Sequence, residues 1–239
     1  MNLIITMAGR YSRFVDEGYK MPKYLLPWGD KSILNEIILE LNKHSDFDNI
    51  YLIANKRDEI YMPHVKRIMQ SIGISLENLF LISDTSGQAE TASIAISKIC
   101  SRFGKLNGSI VFHNVDTILY NRKINEINSY LDKNDGYIDI FESSNHAYSY
   151  VLIENRRVKS IAEKIVISNF ASSGMYAFKD IKTFTKFYKK DMSYITDIYK
   201  NMIKIGRSIA TSELYSENDT IVLGSPSEYL VKSYLLDSE

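Results

Sequence analysis

The sequence predicts an α/β/α sandwich with a mostly parallel sheet and a β-rich insertion, and three observations carry that prediction. Short apolar runs, each the length of a buried strand, recur through the first half of the chain. Between them lie segments whose apolar residues repeat at helical spacing. After Asp116 the rhythm changes, and strand-like runs follow one another with only short connections.

Taken in order, residues 3–6, 50–54, 79–82 and 109–113 are the buried strands of the first half. Ile33, Ile37, Ile38 and Leu41 form one helical face between the first two, and Ala89, Ala92, Ile96, Ile99 and Phe103 form another before the fourth. Strand, helix and strand in repetition imply parallel pairing with right-handed crossovers. Residues 137–142, 148–153 and 175–178 suit antiparallel pairing. Helices return at 181–188, 194–205 and 227–235, the last opened by "GSPSEYL", in which Pro226 and Ser227 start the turn. Without a repeat, a low-complexity tract or a linker, residues 1–239 are read as a single domain.

Composition narrows the function. The chain has 29 Lys plus Arg and 29 Asp plus Glu, so no global field draws it to nucleic acid or an anionic membrane, and any positive site is local. Its single cysteine, Cys100, excludes an internal disulfide and a cysteine-based zinc site and suits a reducing compartment. No apolar run approaches the ~20 residues of a membrane span, and no basic segment precedes the first strand. The expected location is cytoplasmic.

One local positive site stands out in "LIITMAGRYSRFVDEGYKMPKYLL". Ligands of open parallel sheets bind beyond the carboxyl ends of the strands, and this loop follows the first one. Gly9 permits a sharp turn and close main-chain approach, while Arg10, Arg13, Lys20 and Lys23 supply charge-assisted hydrogen bonds to several phosphates. The competing reading is a solvated basic loop. A dinucleotide site is disfavoured because Tyr11 stands where a second glycine would be expected, and the Walker lysine motif is missing.

The stretch resembles the signature of nucleotidylyltransferases that couple a nucleoside triphosphate to a sugar 1-phosphate or similar phosphomonoester, written Ala-Gly-x-Gly-x-Arg followed by Pro-Lys. Ser12, Arg13, Phe14, Gly18, Tyr19, Pro22 and Lys23 match the branch associated with capsule and lipopolysaccharide precursors. The resemblance implies a Rossmann-like fold and Mg²⁺ as cofactor. It further implies that Ala8, Gly9, Arg10, Tyr11 and Ser12 hold base and phosphates, Arg13 the outer phosphates, and Lys23 the α-phosphate under attack. Tyr11 departs from the commoner glycine.

Three further segments fit the same likeness. "SGQAETASIAISKI" enters a helix with free amides; Ser86 and Glu90 are ordinary helix-start residues, whereas a similar family run binds nucleobase and ribose, which implies roles for Gln88, Glu90 and Thr91. "SIVFHNVDTILY" ends a buried strand near Asp116, placing a carboxylate where magnesium would meet phosphates; a turn-capping Asp is the alternative. His113 is given no role, since a lone His on an apolar strand is commonly structural. "SYVLIENRRVKSIAEKIVISNFASSGMYAF" offers Glu163 and Lys164 beside a turn, then Ser172, Ser173 and Gly174 with free amides suited to an acceptor phosphate, or else an ordinary hairpin with surface charge. By the likeness, Glu163 holds acceptor hydroxyls, Lys164 its phosphate, and Asn169, Ser173 and Gly174 its surroundings.

Relatives carry a second metal aspartate before a terminal Gly-Thr-Pro, but "NDTIVLGSPSEYL" places Val222 there, leaving Asp219 and Asp197 as remote candidates. The implied reaction is transfer of a nucleotide, with cytidylyl as the first choice, from a nucleoside triphosphate to a small phosphorylated acceptor. Sugar 1-phosphate, phosphocholine and a phosphorylated amino acid all qualify. A glycosyltransferase using a nucleotide sugar and a non-catalytic nucleotide-binding regulator are the alternatives, and nucleobase and oligomeric state stay open.

Overall fold

The structure, a computed structural model, describes residues 1–45, 47–154 and 157–236. Its first strand, β1 (Asn2–Met7), is apolar on both sides and feeds two cores. Leu3, Ile5 and Met7 enter one, and Ile4 enters the other. After the short helix α1 (Ser12–Asp16), the two-residue strands β2 (Pro27–Trp28) and β3 (Lys31–Ser32) lead into α2 (Ile33–Asn42). Ser32 starts that helix by accepting the Asn35 amide at 3.3 Å. β4 (Asn49–Asn55) returns parallel to β1, and α3 (Met62–Ile72) packs in the same core as α2. β5 (Leu79–Ile82) extends the sheet beyond β4, while α4 (Gln88–Phe103) buries its Ala and Ile face in the second core. β6 (Ile110–Asn114) then pairs parallel to the other side of β1. One core on each face makes the expected sandwich.

The second half runs β7 (Thr117–Leu119), α5 (Ile127–Lys133), β8 (Gly136–Glu142), β9 (Ser149–Glu154), β10 (Arg157–Glu163) and β11 (Phe170–Phe178). β11 pairs antiparallel with β6, and β8 and β9 pair with β11, so the β-rich insertion continues the central sheet in the order β10-β9-β11-β6-β1-β4-β5. α6 (Ile181–Phe187) and α7 (Ile195–Lys204) join α4 in the second core. β12 (Ile209–Tyr215) lies parallel to β8, β13 (Thr220–Val222) pairs with β7, and α8 (Pro226–Leu236) closes the described chain.

A buried ion pair fixes this half in place. Arg122 Nε lies 3.2 and 3.0 Å from the two oxygens of Asp139 on β8, and the rest of its fork donates to the carbonyls of Tyr120 and Asp219 and to Thr220 Oγ1. Every polar atom there is satisfied, the condition under which burying a charge is tolerated. The β7–β13 ribbon, which carries Val222, is thereby tied to the sheet. No helix among the described residues is long and apolar enough to cross a membrane.

Candidate active site

A cavity of about 590 Å³ opens over the carboxyl ends of β1 and β6, walled by the loop Ala8–Tyr11, Lys23, the 84–88 turn and Asp116. This is the edge at which a parallel sheet presents its loops. Tyr11 adopts the left-handed conformation, with φ 38°, and its hydroxyl donates to Asp58 Oδ1 at 2.6 Å. Tyr24 donates to the other Asp58 oxygen at 3.0 Å. Burial first, and the Asp58 carboxylate second, push the Tyr11 phenol well above its usual range, so it remains a donor. Arg10 pairs with Asp84 at 3.3 Å. Ser12 and Arg13 are exposed on α1 and do not wall this cavity; Arg13 lines the neighbouring one.

Lys23 and Asp116 meet at the boundary. Pro22 leads into a single 3-10 turn that starts at Lys23, and Asp116 follows β6, so two segments distant in sequence bring Lys23 Nζ to 2.8 Å from Asp116 Oδ2. Burial disfavours the Asp116 charge, but the Lys23 ammonium outweighs it and holds the carboxyl below the ordinary aspartate range. Gln88 ties the floor together: its Nε2 donates to Asn114 Oδ1 at 2.5 Å, and its Oε1 accepts the Ile195 amide at 3.2 Å. Thr91 shares a 2.7 Å hydroxyl bond with Thr85. Glu90 is engaged elsewhere, since its Oε2 accepts the Ser86 amide at 2.6 Å and the Ser86 hydroxyl at 2.8 Å, and it does not wall the cavity. The helix-start reading of Glu90 therefore describes its geometry. His113 is fully buried, and lines neither cavity.

A second cavity of about 250 Å³ shares Gln88, Asn114 and Asp116 with the first and is completed by β11, the Glu163–Lys164 turn and the start of α8. Arg13, Glu163, Lys164, Ser173 and Gly174 all line it. Glu163 accepts from the Ser149 hydroxyl at 2.8 Å and from the Thr196 hydroxyl. Neither the Lys164 ammonium nor the Arg13 guanidinium has a hydrogen-bond or ion-pair partner among the described residues.

Two sequence expectations are corrected here, and the two remote carboxylates are placed. The amides near Gly174 are not free: Gly174 donates to Ser172 Oγ at 3.3 Å and Met175 to Ser173 Oγ at 3.4 Å, because these residues form a bulged strand rather than a phosphate loop. Asn169 lies outside the cavity. Its carbonyl accepts the Ser143 amide at 3.2 Å and its side-chain amide donates to Glu142 Oε1 at 3.4 Å, which holds it at the end of β8 in a separate cleft. Asp219 and Asp197 also stand apart, the first bonded to Asn121 and Ser216 and the second closing the start of α7 against the Tyr194 amide.

Residues that the sequence reading missed complete the site. Glu228, in the first turn of α8, lines the second cavity, and a methyl placed on Gly224 would lie 3.4 Å from its Oε2 and 3.9 Å from Asp116 Oδ2. Asp58 and Asp84 hold the first loop. Asp84 follows β5, and the strand-end rule that identified Gly9 and Asp116 points to it equally.

Comparison with known proteins shows the fold and the family. The chain is 26% identical over 212 residues to the bifunctional protein GlmU of Methanococcus aeolicus, and spans about half of that relative, 47% of its length against 85% of this chain. It superimposes on the nucleoside-diphosphate-sugar pyrophosphorylase of Vibrio cholerae with a TM-score of 0.84 at 24% identity, covering 98% of this chain and 100% of the other. The inositol-1-phosphate CTP transferase of T. maritima gives a TM-score of 0.73 at 11% identity, covering 99% and 94%. These two structures share the Rossmann-like fold. The model of the nucleotidyl transferase family matches residues 3–217, nearly the whole chain, and the protein belongs to that family.

Proposed function

We propose that this protein transfers a nucleoside monophosphate from a nucleoside triphosphate to a small phosphorylated acceptor, releasing pyrophosphate. The observation that carries the reading is the Lys23–Asp116 pair at the boundary of two adjoining cavities, one walled by the loop Ala8–Tyr11 and the other lined by the unpaired cations Arg13 and Lys164. The triphosphate occupies the first cavity, with Lys23 on its α-phosphate. The acceptor occupies the second, with Lys164 on its phosphate, Glu163 on its hydroxyls, and Arg13 facing phosphates at the boundary. An acceptor phosphate oxygen attacks the α-phosphorus, the bond to the β-phosphate oxygen breaks, and pyrophosphate leaves. That oxygen is already anionic at neutral pH, so catalysis consists of positioning and charge stabilisation.

The donor set fits magnesium, because Asp116 and Glu228 bring carboxylate oxygens to one cavity and no soft ligand is present there. Among the described residues no group of three or more ligating side chains gathers, so phosphate oxygens and water would complete the coordination shell. Bound there, Mg²⁺ would neutralise phosphate charge. CTP is the proposed donor, supported by the motif likeness and by the name of the T. maritima structural neighbour; a sugar 1-phosphate or phosphocholine is the proposed acceptor class.

Screening CTP, UTP, dTTP, ATP and GTP against a panel of phosphomonoesters, with pyrophosphate as the readout, tests the reading. One pair is expected to release pyrophosphate, and Asp116→Asn to lower kcat/KM by at least ~100-fold, the order expected for a lost electrostatic stabiliser. Asp219→Asn, outside the site, stays near wild type. Turnover of a nucleotide sugar without pyrophosphate would point to a glycosyltransferase instead.

A further inference from the structure

The first loop is gripped from behind by a residue that does not wall the cavity. Arg57 lies in the 3-10 helix Lys56–Tyr61 after β4. Its Nη2 donates to the carbonyls of Ala8 at 3.1 Å and Gly9 at 2.7 Å, and its Nη1 donates to Asp84 Oδ1 at 2.6 Å. Asn55 adds a 2.8 Å bond to the same Asp84 oxygen. The neighbouring Asp58, fully buried, holds Tyr11 and Tyr24.

Among the described residues there is no cis peptide bond, and in a planar trans peptide the N–H points opposite to the C=O. Fixing the Ala8 and Gly9 oxygens on one guanidinium therefore turns the Gly9 and Arg10 N–H groups the other way. Gly9 and Arg10 wall the cavity and Arg57 does not, and neither amide donates to any described residue. The orientation of these two amides is thus set from outside the cavity. It matters because Tyr11 is left-handed without being glycine, a conformation that is costly for an ordinary residue. Such a loop would not hold its shape unaided.

We infer that Arg57 is a positioning residue for nucleotide binding: its fork aims the Gly9 and Arg10 amides at the triphosphate, and the adjacent Asp58 holds Tyr11 in place. The inference rests on the reading of the first cavity as the triphosphate site. The test is calorimetric titration of the full chain, without acceptor, with the magnesium complex of whichever of CTP, UTP, dTTP, ATP and GTP wild type binds best. Arg57→Ala is expected to weaken binding at least ~10-fold, as for a lost charge-assisted hydrogen bond, while the acceptor KM stays within about twofold. Arg57→Lys, whose single ammonium cannot hold two carbonyls and Asp84 together, recovers only part of the loss. Wild-type affinity in folded Arg57→Ala overturns the inference, as does equal damage to nucleotide and acceptor. If Arg57→Ala does not fold, wild-type affinity in Arg57→Lys overturns it. A wild-type protein that binds none of the five nucleotides removes the function reading itself, a distinct result.

Discussion

Lys164 has a strained backbone and an idle side chain. Its φ is 56°, its amide is bonded to the Tyr148 carbonyl at 3.0 Å, and its ammonium has no partner among the described residues. A cation held this way is placed for a ligand, so Lys164→Ala should raise the acceptor KM ~10-fold or more and leave nucleotide binding without acceptor unchanged. Equal damage to both substrates would make the turn structural. His113 makes a different prediction. Its Nε2 lies 2.7 Å from the Thr117 carbonyl, its Nδ1 is buried without a partner, and burial pushes its pKa down to about 4. Between the unfolded value near 6.5 and that folded value the unfolded chain binds more protons, so acidification through this window costs up to about 3 kcal/mol of stability. The Tm of wild type should fall across it more steeply than that of His113→Phe; parallel slopes would show the imidazole is not held neutral. Single site residues were legible where they end a strand, as with Gly9 and Asp116. Asn169 was not, because a spacing in sequence does not say which cleft a residue just before β11 faces. Glu228 carried no such signal, being brought to the site by a helix that packs from the far end of the chain.

Elements meet the site through close approaches. Gly174, with φ 90°, lets β11 bulge under Asn114, whose Nδ2 would lie 2.7 Å from an added methyl. Gly174→Ala is expected to cost roughly 2 kcal/mol, combining left-handed strain with an overpacked contact, and to raise the acceptor KM by displacing Asn114. Chemical denaturation and kinetics on one preparation check both halves; an unchanged midpoint would mean that the strand relaxes freely. The first-half strands and helices α2 and α4 were legible because each keeps one period over its length and is buried accordingly. Strand 175–178 was read too short, since Ala171, Ser172 and Ser173 resemble a loop in composition yet are buried within β11. β10, with Arg157, Lys159 and Ser160, is half exposed and carries too little apolar signal. That β8, β9 and β11 continue the main sheet is a matter of pairing, and pairing between distant segments leaves no local mark.

At the scale of the molecule, equal numbers of acidic and basic residues are matched by a site that carries its own compensation. Arg10 and Arg57 share Asp84, and Lys23 has Asp116. Part of the positive charge around the first loop is thus compensated within the protein, while Arg13 and the excess of two arginines over the one carboxylate of Asp84 are left for a ligand. The Lys23–Asp116 contact has a further consequence. An ammonium 2.8 Å from a carboxylate is a tethered rival for any cation that seeks that carboxylate, present at an effective concentration that no dissolved ion matches. On the proposed reading, Lys23 would guard Asp116 against a metal ion in the empty protein, and a triphosphate that drew the lysine onto phosphate would lift that guard. Lys23→Ala should therefore do two opposite things: lose at least ~100-fold in kcat/KM, yet take up Mn²⁺ more tightly than wild type when no nucleotide is present, as read by the loss of free-ion electron paramagnetic resonance signal. A variant that gains the metal while losing the reaction would mark this lysine as gatekeeper and participant at once, whereas weaker Mn²⁺ uptake would leave the contact a simple ion pair.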